Sequence, residues 1–184
     1  MTQLSAGETY DISATRIRMG IGWDKDAGAG YARTGRREVD LDATALQFTG
    51  AQLFDLAFYN HLATRDGSVT HEGDNQTGGG EGDDESIRVD LARVHGPVDT
   101  ILFMVSSYMG HSLAWVANAY CRLVDDETDE ELARFTLTFS IEETGAVLAL
   151  LRRTPSGWTL HAVGEGVPIS VPSQGLAKLT RFVS

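Results

Sequence analysis

The sequence predicts an all-β chain, a β-sandwich of two mainly antiparallel sheets with one or two short helices, one of them near the C-terminus. Three observations carry this prediction. Apolar residues recur at every second position in many short segments, the spacing of strands with one buried face. Turn residues punctuate those segments, as in Asp66-Gly67, Gly96-Pro97 and Thr154-Pro155-Ser156-Gly157. No fixed-period repeat and no linker divides the 184 residues. Many short strands with frequent turns build sandwiches or barrels, and this length suits one domain, residues 1–184, with a sizeable core.

The elements follow in chain order. In 16–22, Ile17, Met19 and Ile21 share one face while Arg16 and Arg18 take the other. Strands are also expected at 39–48 and 53–60. In 86–91, Ile87, Val89 and Leu91 alternate with Arg88 and Asp90. A strand at 100–107 and a helical turn at 111–117 come next. Ala119, Cys121 and Leu123 alternate with Tyr120, Arg122 and Val124. Further strands are expected at 132–138 and 146–153. In 158–163, Trp158, Leu160 and Ala162 alternate with Thr159, His161 and Val163. Ser173, after Pro172, is a good helix N-cap, and Leu176, Leu179 and Phe182 or Val183 then fall on one helical face. Trp23, Trp115 and Trp158 are expected in the core, where aromatic residues of alternating strands usually pack.

Composition narrows the function. The net charge of −11 disfavours nucleic acid, whose phosphates are neutralised by Lys and Arg. The longest apolar runs, 101–105 and 146–151, are far below the roughly 20 residues of a transmembrane helix. Residues 1–5 lack the basic and apolar regions of a secretory signal, so a cytoplasmic location is expected. Cys121 is the only cysteine, which excludes an internal disulfide framework. The charge is concentrated in two stretches free of Lys and Arg. Residues 66–85 carry seven carboxylates and six glycines, and residues 125–131 carry six carboxylates. Without those thirteen acids the remaining chain has a charge of +2.

The first stretch is the central feature. Glycine lets a backbone turn sharply, so that carbonyls and side chains can face one centre. Crowded carboxylates repel one another, and a divalent cation relieves the repulsion. Hard oxygen donors suit Ca²⁺, which takes about 6–8 of them in flexible geometry. Thiolate or imidazole metals are not indicated by one cysteine and scattered histidines. Asp40-Leu41-Asp42, read as strand, would send both carboxylates to one face and Leu41 to the core. Asp24 opens a second loop rich in glycine and charge, 25–37. The spacing from Asp74 is not that of an EF-hand, because Gln76 occupies its third position. The 125–131 run lacks glycine and reads as a solvated turn between two strands.

Gly20-Ile-Gly-Trp-Asp24, Asp40-Leu-Asp-Ala-Thr44, Phe58-Tyr-Asn60, Asp66-Gly-Ser-Val69, His71-Glu-Gly-Asp-Asn-Gln-Thr-Gly78 and Gly80-Glu-Gly-Asp-Asp-Glu85 occur in that order. They are followed by Val116-Ala-Asn-Ala-Tyr-Cys-Arg-Leu-Val124, Glu131-Leu-Ala-Arg-Phe135 and Ala162-Val-Gly-Glu-Gly166. Together they resemble the TerD family, the tellurium-resistance and stress-response family of bacteria, over nearly the whole chain. The resemblance implies a β-sandwich that binds Ca²⁺ through acidic loops. It implies Asp40, Asp42, Asp74, Asn75, Asp83, Asp84 and Glu85 as ligands, with Asp24 and Glu81 in support. It also implies a module that works by binding other stress-response proteins, or at the inner membrane surface. Where the family usually has Leu-x-Lys-Gly, this chain has Leu4-Ser-Ala-Gly7.

An enzyme is not expected. The serines lack a Gly-x-Ser-x-Gly context, and Gly78–Gly80 is followed by Glu81 instead of the Lys of a phosphate-binding loop. Asp40 and Asp42 could in principle do glycoside chemistry, but among so many acids they read better as part of a cation cage. His61 and His71 read as exposed or satisfied side chains. The competing function is a metal-dependent hydrolase using the same acids. A third treats Ca²⁺ purely as a fold staple. A catalytic ion must keep an open coordination position, whereas a staple is closed by protein oxygens.

Overall fold

The computed structural model describes residues 1–24, 40–73, 82–137 and 141–184, with Asp24, Trp115 and Ala117 described as backbone only. Twelve strands among them form two six-stranded sheets. In chain order they are β1 (Thr2–Leu4), β2 (Thr9–Ile12), β3 (Arg16–Asp24), β4 (Asp42–Thr49), β5 (Gln52–Ala57), β6 (Val69–His71), β7 (Glu85–Asp90), β8 (Thr100–Ser106), β9 (Ala117–Asp125), β10 (Glu131–Thr136), β11 (Gly145–Thr154) and β12 (Gly157–Val167). Sheet A has the order β1-β10-β9-β3-β7-β6 and sheet B the order β2-β12-β11-β8-β4-β5. The β1–β10 pair is parallel, and every other pair is antiparallel.

The space between the sheets is filled as the alternation requires. Ile17, Met19 and Ile21 of β3, Ile87 and Val89 of β7, and Cys121 and Leu123 of β9 meet Ala43 and Ala45 of β4 and Ile101, Phe103 and Val105 of β8. Trp23 and Trp158 join this layer, while the side chain of Trp115 lies outside the described residues.

Sheet B is buried on its other face as well. Leu46, Phe48, Leu102, Met104, Val147 and Leu150 pack there against Leu179, Phe182 and Val183 of α1 (Leu176–Val183). This explains the two uninterrupted apolar runs, because a strand covered on both sides has no position to give to a polar residue. A bulge in β11 between Val147 and Ala149 sends Leu148 and Ala149 both inward, which is why no simple alternation is visible there.

The structure corrects several expectations. β1, β2 and β6 are additional strands of three or four residues. β4 begins at Asp42, opposite Ser106, so Asp40 precedes the ladder instead of lying in it. The N-cap of α1 is Gly175 without a side-chain bond, since Ser173 lies in a separate 3-10 turn, Pro172–Gln174. The helical turn expected at 111–117 is one 3-10 turn, Leu113–Trp115, capped by the Ser112 hydroxyl accepting from the Ala114 N–H.

Candidate functional site

Four strand ends meet at one end of the sandwich. β3 ends at Asp24 beside the start of β7, with Ile21 opposite Glu85. β6 ends at His71 opposite Ile87. Across the sandwich, the Ala43 N–H at the start of β4 donates to Glu85 Oε2 at 2.5 Å. The described residues that flank 25–39 and 74–81 therefore lie at this end. Asp74, Asn75 and Glu81 lie outside the described residues, as does the side chain of Asp24.

The consecutive acids 83–85 go three ways. Glu85 points between the sheets and is 4% exposed. His71 Nδ1 accepts from the Gly73 N–H at 3.0 Å, so its proton sits on Nε2, which donates to Glu85 Oε2 at 3.3 Å. The histidine thereby ties the root of the acidic segment to the buried carboxylate. Asp84 accepts the Trp23 N–H through Oδ2 at 2.8 Å, while its own N–H donates to the Ile21 carbonyl.

Asp83 turns outward and crosses β3. Arg122 Nε and Nη2 on β9 hold its two carboxylate oxygens at 2.7 and 3.0 Å. The Tyr120 hydroxyl stands 3.1 Å from both Asp83 Oδ1 and the Gly82 carbonyl, either of which can accept its proton. Burial, then the Asp83 charge, push the Tyr120 phenol up to about 12. The hydrogen bond to Asp83 holds Arg122 firmly protonated. Two glycines of β3 make the crossing possible. A Cβ on Gly20 would lie 2.0 Å from Asp83 Oδ2, and one on Gly22 would lie 2.5 Å from the Tyr120 ring. Glycine inside a strand often marks such a close approach. Arg122 and Tyr120 are residues that sequence reasoning missed, and the Gly20-x-Gly22 spacing is the signal that could have revealed them.

Asp42 and Asp40 are placed differently again. Leu46 and Phe48 of β4 face α1, so Asp42, on the same side of the strand, lies on the outer face of sheet B. Leu41 is in the core at 1% exposure, and Asp40 is exposed. The structure thus brings Asp42, Asp84 and Glu85 to one end of the molecule without turning their carboxylates toward one point. Among the described residues, no three His, Cys, Asp or Glu side chains are gathered as a metal cluster. By donor chemistry the candidates still fit a hard cation. They are oxygen donors, and Cys121 is buried on β9 with burial pushing its thiol up to about 12.

The second acidic run is indeed the turn between β9 and β10, where the Asp125 N–H donates to the Glu130 carbonyl. Its acids are not merely solvated, however. Arg18 pairs with Asp126 and Asp129, Arg88 reaches Asp126 at 3.2 Å, and Glu131 takes both Arg122 and Arg134. Period-2 spacing puts those arginines on the exposed face of sheet A, where the turn folds back on them.

The sequence matches the TerD domain over residues 1–181. It is 37% identical over 174 residues to the tellurium resistance protein TerZ of Serratia marcescens, covering 90% of each chain. It is 35% identical over 178 residues to general stress protein 16U of Bacillus subtilis (strain 168), covering 89% of each. A solved structure of a homologue of telluride resistance protein TerD from Streptomyces coelicolor A3(2) has the same fold, with a TM-score of 0.71 at 17% identity over 91% of this chain and 98% of that one.

Proposed function

This chain belongs to the TerD family, and from that premise we propose that it is a Ca²⁺-binding β-sandwich module of a bacterial tellurium-resistance and stress-response system. In this reading it acts in the cytoplasm as a binding or scaffold module for other stress-response proteins. Relatives named for tellurium resistance and for general stress support the setting. No helix among the described residues is long and apolar enough to cross a membrane.

One observation carries the calcium reading. The strand ends bearing Asp24, Asp42 and Glu85, with Asp84 beside them, meet where the glycine-rich segment 25–39 and the glycine-rich acidic segment 74–81 attach. Asp40, Asp42, Asp84 and Glu85 would hold the ion from the sandwich, and Asp24, Asp74, Asn75 and Glu81 from the segments. A bound Ca²⁺ would neutralise the mutual repulsion of these acids. The rest is done by the chain itself: His71 fixes Glu85 and Gly73 together, and the Ala43 N–H ties Glu85 to the opposite sheet. Asp83 has both oxygens on Arg122, which gives it the role of anchoring the returning segment.

The test is a calorimetric Ca²⁺ titration of chelator-treated protein. Asp84→Asn is expected to weaken binding about tenfold or more, whereas Asp126→Asn, paired with arginines at the far end of β3, leaves it unchanged. Equal losses in both variants would indicate diffuse attraction by an acidic protein, and absence of binding heat would remove the calcium assignment.

A further inference from the structure

The Asp83–Arg122 pair belongs to a closed ring of contacts on the outer face of sheet A. Arg122 holds Asp83 with two donors, and its Nη1 donates to Glu131 Oε2 at 3.2 Å. Glu131 is held in turn by Arg134, whose Nε donates to Oε1 at 2.7 Å and Nη2 to Oε2 at 2.9 Å. The Arg134 guanidinium lies over the Tyr120 ring, 4.4 Å from its centroid. The Tyr120 hydroxyl completes the circuit, 3.1 Å from Asp83 Oδ1 and from the Gly82 carbonyl. The four charged side chains of the ring are largely shielded from water.

The strand register explains why the ring closes. Arg122 and Arg134 are ladder partners in the β9–β10 pair, and Gly20 and Gly22 of β3 stand opposite Arg122 and Tyr120. By simple alternation Glu131 and Arg134, three residues apart, would face opposite sides of the sheet. The bulge between Glu131 and Ala133 returns Glu131 to the side of Arg134. The two glycines leave the breadth of β3 open, so Asp83 can reach β9 across it.

We propose that Tyr120, Glu131 and Arg134 are positioning residues for the calcium end: by fixing the Arg122 guanidinium and the Gly82 carbonyl, they hold the returning end of the acidic segment in the geometry that sets its Ca²⁺ affinity. The proposal rests on the calcium reading, and none of the three is itself a ligand candidate. Gly82 and Asp83 directly precede the candidates Asp84 and Glu85, and the Asp84 N–H is tied to the Ile21 carbonyl at 2.8 Å. Glu131 fixes the plane of the guanidinium, and a planar fork grips a carboxylate through two bonds only when so oriented. A segment whose end is already anchored loses less freedom when it closes on an ion, so it binds more tightly. Charge alone predicts the opposite sign for the arginine. Removing a cation from an acidic protein should draw Ca²⁺ in more strongly, whereas loss of positioning weakens its binding.

The experiment measures Ca²⁺ affinity by calorimetry on the full chain after chelator treatment, and amide hydrogen exchange by NMR on ¹⁵N-labelled protein kept in chelator. Tyr120→Phe keeps the ring beneath Arg134, changes no charge, and should raise the Kd about two- to tenfold. Arg134→Gln should raise it about three- to tenfold, with Arg134→Lys between it and the unsubstituted protein. In chelator, the Asp84 amide of Tyr120→Phe and Arg134→Gln should exchange about two- to tenfold faster, while the amides of Met19 and Leu123, at the middle of the same sheet, are unchanged. That contrast separates a loosened segment from a generally destabilised fold. Absence of Ca²⁺ heat in the unsubstituted protein overturns the calcium reading and the positioning role with it. Where the unsubstituted protein does bind, an unchanged Kd in Tyr120→Phe, tighter binding by Arg134→Gln, or equal acceleration of exchange at all three amides overturns the positioning role alone.

Discussion

Replacing Gly20 by alanine isolates the crossing of Asp83 over β3. Gly20 is not among the residues with positive φ, so an alanine there meets a steric obstacle and no backbone strain. The new Cβ would stand 2.0 Å from Asp83 Oδ2 and 2.3 Å from its Cγ. The carboxylate must swing away, and its contacts to Arg122 at 2.7 and 3.0 Å are then lost. Those side chains are 10% and 25% exposed. Hydrogen bonds between charged groups contribute about 1.5–3 kcal/mol, less where water reaches the guanidinium. Alanine returns about 0.4–1 kcal/mol by restricting the unfolded chain. The expected net loss is about 1–2 kcal/mol, a fall in Tm of about 2–8 °C for a chain of this size. The assay is thermal denaturation followed by circular dichroism, run as a double-mutant cycle with Asp83→Ala. In the Asp83→Ala background the space is empty, so Gly20→Ala becomes neutral or slightly stabilising. Gly96→Ala, with nothing within 4 Å of its would-be Cβ, is the control for alanine as such. Additivity of Gly20→Ala and Asp83→Ala within about 0.5 kcal/mol would refute the reasoning.

The remaining predictions concern other parts of the molecule. Burial raises the Asp66 pKa, but hydrogen bonds from the His95 and Ser68 N–H groups and from the Thr64 and Ser68 hydroxyls outweigh it and bring the value to about 2. A depressed folded value stabilises above the unfolded value of 3.8, and that stability is lost as pH falls toward 2. Allowing for solvent at this partly exposed group, Asp66→Asn should cost about 1–2 kcal/mol at pH 7 and shrink the loss between pH 4 and pH 2, read from urea midpoints; an acid limb identical to wild type would count against it. Leu179→Ala, which empties the layer between α1 and sheet B, should cost about 2–5 kcal/mol by chemical denaturation. The Cys121 thiol, buried and pushed up to about 12, should stay unlabelled by thiol reagents in native protein and react fully in denaturant. Saturating Ca²⁺ at about 100 times Kd should add about 2.7 kcal/mol and raise Tm by several degrees, and a melting curve unmoved by Ca²⁺ would contradict the calcium reading.

The sequence made the sandwich legible wherever one face of a strand meets water. Ile17, Met19 and Ile21 against Arg16 and Arg18 show the period directly. It is hidden in β11, where both faces are buried and a bulge shifts the parity after Val147. β6 escaped because three residues contain too little pattern. The helix at the C-terminus was visible through Leu176, Leu179 and Phe182, but its start was misplaced because Ser173 has the chemistry of a cap without the position of one. At the candidate site, clustering in sequence located the right end of the molecule. It did not reveal that Asp83, Asp84 and Glu85 would part toward a guanidinium, a backbone N–H and the interior. Those destinations depend on Arg122, Trp23 and Ala43, which lie 39, 61 and 42 residues away. The Gly20-x-Gly22 spacing signals that something crosses β3 closely, but no local pattern names the partners.

The partners of the first two strands have a consequence for synthesis. β1 is held by β10, and β2 by β12, strands drawn from the last third of the chain. At about 5–20 residues per second, a ribosome needs on the order of 10–30 s to pass from β2 to β12. During that interval the emerging N-terminal strands have no ladder to join, and β4 and β8 await the cover of α1. The nascent chain must therefore wait for β10, β12 and α1 before this fold is complete, with open strand edges exposed until then, and its yield in a cell should depend on chaperones that shield such edges and on protein concentration.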